Sequence, residues 1–503
     1  MNAEYDTLES MCELVVDCPH STPKWTDEGF LVLRNQNIRN GVLDLSSPSF
    51  TNQEDYEKRI RRAVPQAGDI VFTREAPMGE VCIIPKGLQC CLGQRQVLLR
   101  PKESVNGEYL FWALQSPFVQ HQIAWNEGTG STVSNVRIPV LKALKIPRHG
   151  SAEGGVAKVL SDIANKIELN RQTNQTLEHI AQAIFKSWFV DFEPTRAKIT
   201  AQNMGADTAT QELAAQAIIC GAITLEQLTD IQQNLNRHLQ QAIDEKLNHN
   251  TPTPIKAEQL AITAALFPNA LVESELGSVP EGWEVKTMEQ LSEIIAMGPF
   301  GSNIKVDTFV ESGIPVISGQ HLKGVMLEDS SFNYLTLKHA DKLGKANVCR
   351  GDVVFTHAGS IGQVAFIPEN SRHKRYVLSQ RQFYMRPNKN LVSSLYIVNY
   401  FKSYLGQYEL LANTSQVGVP SISRPVSNLR KIETVVPCKS LMDVFHELAG
   451  NIYNKVSSSK KEVLFVQELR DTLIPKLLSG ELDVSVLADD SVPASKTKEA
   501  LDV

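Results

Sequence analysis

The spacing of apolar residues changes rhythm several times along the chain. Over residues 1–150 the apolar runs are short, β-branched and punctuated by Gly, Pro, Asn and Asp, as in Asp69 to Thr73 and Val81 to Ile84. That pattern predicts strands and turns. A longer run from Tyr109 to Ser116 predicts one core helix among them. From Val156 the spacing alternates between four and three, through Leu160, Ile163, Ile167, Asn170, Asn174, Leu177, Ala181, Ile184 and Trp188. This is a heptad seam on a long helix. Residues 200–282 are patterned as helix at Leu213 to Ile219 and Leu225 to Leu247, followed by the breaker run Thr251-Pro252-Thr253-Pro254. The strand-like pattern then returns over 283–438, with a second core helix around Tyr396 to Ser403. A second seam follows at Leu441, Phe445, Leu448, Ile452, Lys455, Ser459, Glu462, Val466, Leu469 and Leu473. Each seam is polar in its middle, which costs stability but fixes register and partner, so the two helices are expected to pair. Two helices buried separately in their own domains would leave the same periodicity. The helices are expected to stop against Pro194 and at Pro475 with Gly480.

The rhythm recurs because part of the sequence does. Gly68-Asp69-Ile70-Val71-Phe72-Thr73 is matched by Gly351-Asp352-Val353-Val354-Phe355-Thr356, and both run on to Gly79 or Gly362, Val81 or Val364, and a closing Ile84-Pro85 or Ile367-Pro368. Upstream, Gly29 to Arg39 parallels Gly313 to Lys323. Downstream, Gln94-Arg95-Gln96 parallels Gln380-Arg381-Gln382, Arg100-Pro101 parallels Arg386-Pro387, and Ser134 with Arg137 is aligned to Ser421 with Arg424. An offset near 283 residues is too long for a solenoid and marks a duplicated domain of about 150 residues.

The expected fold is α+β: two repeated mixed α/β domains, joined by two long helices that pair as an antiparallel coiled coil. The expected order is a first domain at 1–150, a long helix at 151–199, a partly helical insertion at 200–282, a second domain at 283–438, a second long helix at 439–482 and an acidic tail at 483–503.

Composition alters this picture little; charge alters it more. The chain has 503 residues, 42% hydrophobic and 21% charged, which is ordinary globular usage, and no apolar run long enough to span a bilayer. Its start, Met1-Asn2-Ala3-Glu4-Tyr5-Asp6, lacks a secretory pattern, so a cytoplasmic location is expected. The net charge of -6 would discourage binding to a polyanion if it were evenly spread. It is not: residues 201–282 carry ten acidic and three basic side chains, and residues 481–503 six and two. Removing both segments (-7 and -4) leaves +5 on the remainder, as suits a surface facing nucleic acid.

Catalytic and metal signatures are missing. The eight cysteines show no CxxC pair, and reduced, mostly buried thiols are expected. There is no GxxxxGK[ST] loop, no HExxH, no GxSxG, and no Asn-Pro-Pro-Tyr or Asp-Pro-Pro-Tyr loop. Gly128-Thr129-Gly130-Ser131-Thr132 lacks the glycine spacing of a dinucleotide loop and reads as a turn. His321 and His357 lie inside repeat blocks, but Asn37 and Arg74 hold the matching positions, so no catalytic histidine is shared.

Base edges are best read by Arg, Lys, Gln and Asn, whereas phosphates accept any donor. The candidates for DNA contact in the first domain are Lys24, Arg34, Gln36, Arg74, Gln94, Arg95, Ser134 and Arg137. In the second they are Lys305, Ser318, Gln320, His357, Gln380, Arg381, Ser421 and Arg424. Positions that differ between copies, such as Arg74 and His357, suit sequence readout, while identical ones such as Arg95 and Arg381 suit structural roles.

Several strings resemble the specificity subunits of type I restriction-modification systems. Asp17-Cys18-Pro19-His20-Ser21-Thr22-Pro23-Lys24 and Gly298-Pro299-Phe300-Gly301-Ser302 look like the openings of the family's two target-recognition domains. Phe185 to Phe192 looks like its central conserved region, and Pro280 to Val285 and Leu469 to Glu481 are similarly family-like. The resemblance implies a non-catalytic chain in which each domain reads half of a bipartite, asymmetric double-stranded DNA target. It implies that the helices set the spacing and dock two methyltransferase subunits, and that restriction/translocase subunits join them. No cofactor is implied for this chain; S-adenosylmethionine, ATP and Mg2+ would serve its partners. A stand-alone DNA-binding module and a protein-binding scaffold are the competing readings.

Overall fold

The computed structural model describes residues 4–125, 135–231, 233–248, 257–329, 331–415 and 418–484. The Gly128–Thr132 turn, the Thr251–Pro254 breaker and the tail from residue 485 lie outside the described residues. The chain forms two compact units, one of residues 1–171 with 460–503 and one of residues 172–459.

In the first unit an antiparallel sheet orders its strands Cys12–Asp17, Gln96–Pro101, Ile70–Thr73 and Val81–Ile83. A smaller sheet runs Cys90–Leu92, Phe30–Leu33, Phe50–Thr51 and Trp25–Thr26, its first pair parallel. Strand alternation sends Ile70, Phe72, Val97 and Leu99 to one core, shared with Tyr109 to Leu114. Val71, Cys82 and Leu98 point the other way, to a second core with Leu33, Cys90 and Leu92. A sheet buried on both faces explains why these strands read as continuous apolar runs.

The second unit repeats the plan. Ser292–Met297, Gln382–Pro387, Val353–Thr356 and Val364–Phe366 form the antiparallel sheet. Asn333–Leu335, Ile314–Ile317, Arg375–Leu378 and Asn347–Cys349 form the smaller one, whose parallel pair lies in its middle rather than at its edge. Val353 and Phe355 face one core while Val354 faces the other. The single core helix expected in each copy is two: Gly107–Gln115 then Pro117–Trp125, and Ser394–Lys402 then Tyr404–Leu411. Ser116 and Ser403 are extended and cap the following turn, which breaks the helix.

The long helices are Glu153–Phe189 and Lys439–Leu478, and they pair antiparallel. The first unit holds the start of one and the end of the other: Val156, Ala157 and Leu160 share a core with Ile474, Leu477 and Leu478, and Lys166 Nζ meets Glu462 3.2 Å away. The second unit holds the opposite ends, where Phe445 contacts the rings of Phe185, Trp188 and Phe189. The first seam is as expected, with its polar centre at buried Asn170 and Asn174. The second is not. Lys455 and Glu462 are exposed, whereas Val456 and Val463 are buried. Phe445, Ala449, Tyr453 and Val456 step by four, four and three, a period near 3.67, which carries the seam one position beyond a strict heptad. The termini differ as well. The first helix ends at Phe189, before Phe192 turns left-handed (φ +54°), and Pro194 sits in the first turn of the next helix. Pro475 lies inside the second helix, in its last turn, rather than ending it.

The insertion begins at the helix Glu193–Asn203, earlier than expected, and continues through Thr208–Ile219, Leu225–Asp230, Leu235–Asn248 and Ala257–Ala265 to a hairpin at Leu271–Ser274 and Gly277–Pro280. Small residues let its first two helices approach closely: Ala197, Ala201, Ala214, Ala215 and Ala217 are fully buried. No described helix is long and apolar enough to cross a membrane.

Candidate nucleic-acid interface

The repeated framework is built from matched polar contacts. Asp69, 2% exposed, accepts from Arg100 Nε at 2.8 Å and Nη2 at 2.7 Å; Asp352, 1% exposed, accepts from the same atoms of Arg386 at the same distances. The second oxygen of each also accepts a backbone N–H at 2.8 Å, from Gln66 or Cys349. Gln120 and Gln407 each donate to a turn carbonyl at 3.0 Å, of Gly79 and Gly362. Both glycines have positive φ, and a Cβ there would press within 3 Å of that glutamine.

Several sequence candidates belong to this framework. Gln94 donates to His20 O and Thr22 Oγ1, and Gln380 to Gly301 O and Ile304 O, so each pins the loop that opens its domain. Lys24 and Lys305 sit exposed on those loops. Asn37 Oδ1 accepts the N–H of Arg34 at 2.9 Å, and His321 Nδ1 accepts that of Ser318 at 3.0 Å. Asparagine and histidine thus do one job, closing a three-residue 3-10 turn. With Nδ1 accepting, the proton sits on His321 Nε2, which donates to Ser331 O at 3.2 Å. Burial pushes this imidazole below its ordinary range.

Arg74 is not free to read bases in this conformation. Its Nη1 meets both oxygens of Asp17, at 3.0 and 2.9 Å, and its Nε donates to Val136 O at 2.9 Å. At the matching position His357 is half-buried, its ring nitrogen 3.2 Å from Gln380 O, and desolvation again lowers its pKa. Both residues hold the same strand crossing through backbone: Arg74 N–H donates to Arg95 O, and His357 N–H to Arg381 O. Arg95, left-handed at φ +67°, pairs with Glu75 at 3.0 Å, while Arg381 is exposed.

Ser134 lies outside the described residues. The counterpart of Ser421 is Asn135, since the bridges Glu75↔Asn135 and Ala358↔Ser421 are equivalent. The alignment slips because Ser423 is an extra residue before Arg424. Arg137 and Arg424 then coincide again, each exposed and each preceding a short helix with a proline in its first turn, Ile138–Lys142 and Pro425–Lys431.

The candidates converge most clearly in the second domain. Lys305, Ser318, Gln320, Gln380 and Arg381 line one open cleft of about 540 Å³, with His321 at its base. In the first domain Arg34 stands where Ser318 does, its guanidinium 5.1 Å from the ring centre of Trp25, an exposed aromatic that sequence reasoning missed. Gln36 lines a separate cleft beside Arg39, Arg171 and Arg470.

Four buried thiols of the first unit are unsuited to chemistry. Burial pushes Cys12, Cys82 and Cys90 up to about 12 and Cys91 to about 11. Among the described residues no cluster of three or more His, Cys, Asp or Glu could hold a metal.

Residues 7–179, the first repeat and most of the first long helix, match the family of the type I restriction modification DNA specificity domain. The chain is 28% identical over 445 residues to the type I restriction enzyme HindI specificity subunit of Haemophilus influenzae, covering 86% of this chain and 90% of that one. It is 24% identical over 430 residues to the MjaIX specificity subunit of Methanocaldococcus jannaschii, covering 84% and 79%. A crystal structure of the type I restriction-modification S subunit from M. genitalium aligns with a TM-score of 0.49 at 15% identity, covering 95% of this chain and 96% of the other. The first repeat thus belongs to the type I restriction modification DNA specificity domain family, the second reproduces its sheets and ion pair, and over most of its length the chain is similar to the specificity subunits of type I restriction enzymes.

Proposed function

We propose that each recognition domain reads one half of a bipartite, asymmetric DNA target, and that the paired long helices fix the separation of the halves and dock two methyltransferase subunits. The chain is itself non-catalytic. It directs adenine methylation by subunits that use S-adenosylmethionine, and restriction by translocase subunits that use ATP and Mg2+, within a cytosolic complex. The observation that carries this reading is the pairing of an identical framework with unequal clefts: Asp69–Arg100 repeats as Asp352–Arg386, yet Arg34 is replaced by Ser318 and Trp25 by Phe309, the residues beside them, Thr26 and Val310, pairing alike with Phe50 and Tyr334. Two copies of one scaffold with different faces suit two different half-sites, and a continuous helix makes their spacing a property of the chain. Contacts to the duplex fall to the exposed Lys24, Arg34, Arg95 and Arg137 in one domain and Lys305, Gln320, Arg381 and Arg424 in the other.

The test is co-purification with methyltransferase partners, followed by single-molecule sequencing of modified adenines in DNA exposed to the complex. One motif with two unequal halves and a constant gap is expected. A palindromic motif, or a chain that takes up no methyltransferase and ignores duplex DNA, overturns the proposal.

A further inference from the structure

The cations of the first recognition domain divide by how they are held. Arg100 is clamped by Asp69, Arg74 by Asp17 and Val136 O, and Arg59 by the carbonyls of Leu92 and Ser21. These guanidiniums are spent on the fold. Arg34 is held differently. Its guanidinium lies over the face of Trp25, and among the described residues its one side-chain hydrogen bond is a 3.4 Å reach to Ser49 Oγ. Most of its five N–H donors therefore remain unused.

Both members of this pair stand on rigid backbone. Arg34 follows the strand Phe30–Leu33, whose end is locked where Gly93 N–H donates to Leu33 O at 2.7 Å; a Cβ on Gly93 would come within 2.5 Å of that oxygen. The Arg34 N–H is in turn fixed by buried Asn37. Trp25 is paired with Thr51 in the small sheet, and the residue before it is held by Asp55 Oδ2 at 2.7 Å and by Thr51 Oγ1 at 2.9 Å. A planar fork propped on an aromatic face loses little freedom when it binds. That is the requirement for bidentate recognition, whereas a phosphate accepts any donor and needs no such support.

Resting on the DNA-reading function proposed above, we infer that Arg34, steadied by Trp25, reads a guanine in the half-site of the first domain by donating to its O6 and N7. Trp25 is a positioning residue. The second domain has no equivalent reader, because Ser318 leaves that corner of its cleft open and Phe309 is half-buried in a small core.

The experiment enriches a randomised duplex library on the full chain in complex with its methyltransferase subunits, comparing wild type with Arg34→Ser and Arg34→Lys. Arg34→Ser copies the residue of the second domain, and Arg34→Lys keeps the charge but not the fork. Both are expected to lose guanine preference at a single position by roughly 5- to 150-fold, with the other half-site unchanged and the salt slope of Arg34→Lys preserved. An unchanged motif refutes the role of Arg34. Uniform weakening on all duplexes, with the salt slope of Arg34→Ser falling by about one contact, refutes it in favour of a phosphate contact. A wild-type complex that enriches no bipartite motif overturns the DNA-reading proposal itself, so the two failures are distinguishable.

Discussion

In the first recognition domain Asp69 takes both fork nitrogens of Arg100, and in the second Asp352 takes those of Arg386, with distances that agree to 0.1 Å. A short way along the chain from each pair the likeness ends: Arg34 over Trp25 in one domain, an open cleft floored by His321 in the other. A domain that must fold the same way twice but read different sequences can vary only where the backbone is supported by something other than the varied side chain. Asn37 and His321 show how this is done. Each closes its turn through the same backbone N–H, and the residue whose N–H is held, Arg34 or Ser318, is then free to differ.

The comparison breaks first if the framework pairs are unequal. Asp69→Ala and Asp352→Ala each remove a buried carboxylate with its bonds to a half-buried guanidinium and a backbone N–H, and each should cost about 1.5–3 kcal/mol. Hydrogen exchange should locate the loss in the unit that carries the substitution; a mild effect in one unit and a severe one in the other would show that the duplication is not energetic. A smaller effect is expected from Gln94→Ala and Gln380→Ala, which remove the side chains that pin the opening loops. Each should cost about 1 kcal/mol and weaken DNA binding through its own half-site, read by competition with duplexes altered in one half. Loss through both halves at once would contradict separate readers.

The smallest effect is pH dependence confined to one domain. Burial lowers the pKa of His321 and His357 in the second domain, where the first has Asn37 and Arg74. His373 is lowered as well, by burial and then by Arg372. These imidazoles protonate more readily in the unfolded chain than in the folded one. The stability they allow is complete above about pH 6.5 and falls as the pH drops from there towards their lower folded values. The second unit should therefore loosen first in mild acid, as seen by exchange at paired pH values. His321→Asn, which installs the residue of the first domain, should flatten that fall while keeping the turn closed.

How much of this could be read from the sequence depended on what holds each residue. The Gly-Asp strand blocks were legible because Gly68 and Gly351 both turn at φ +88° and the aspartates are buried with fixed partners, so little else fits. The first helical seam was legible because its apolar residues keep a near-heptad step. The second was misread past Ile452, where an eleven-residue step moved Val456 into the seam in place of Lys455. Arg74 looked like a reader because nothing local reveals that Asp17, far back along the chain, occupies its guanidinium. Trp25 was passed over because an exposed aromatic carries no periodic signal.

The end of the second long helix has a consequence for how the chain is made. Ile474, Leu477 and Leu478 complete the core that Val156, Ala157 and Leu160 begin, and His149 Nε2 bonds Leu478 O at 2.9 Å. The domain that leaves the ribosome first is therefore finished last. All of residues 172–459 must be translated before its apolar seam is covered, a delay of roughly 15–60 s at ordinary elongation rates. A nascent chain that stalls in that interval displays a half-built reader, and a chain cut short near residue 460 would forfeit the first domain's core rather than the second's.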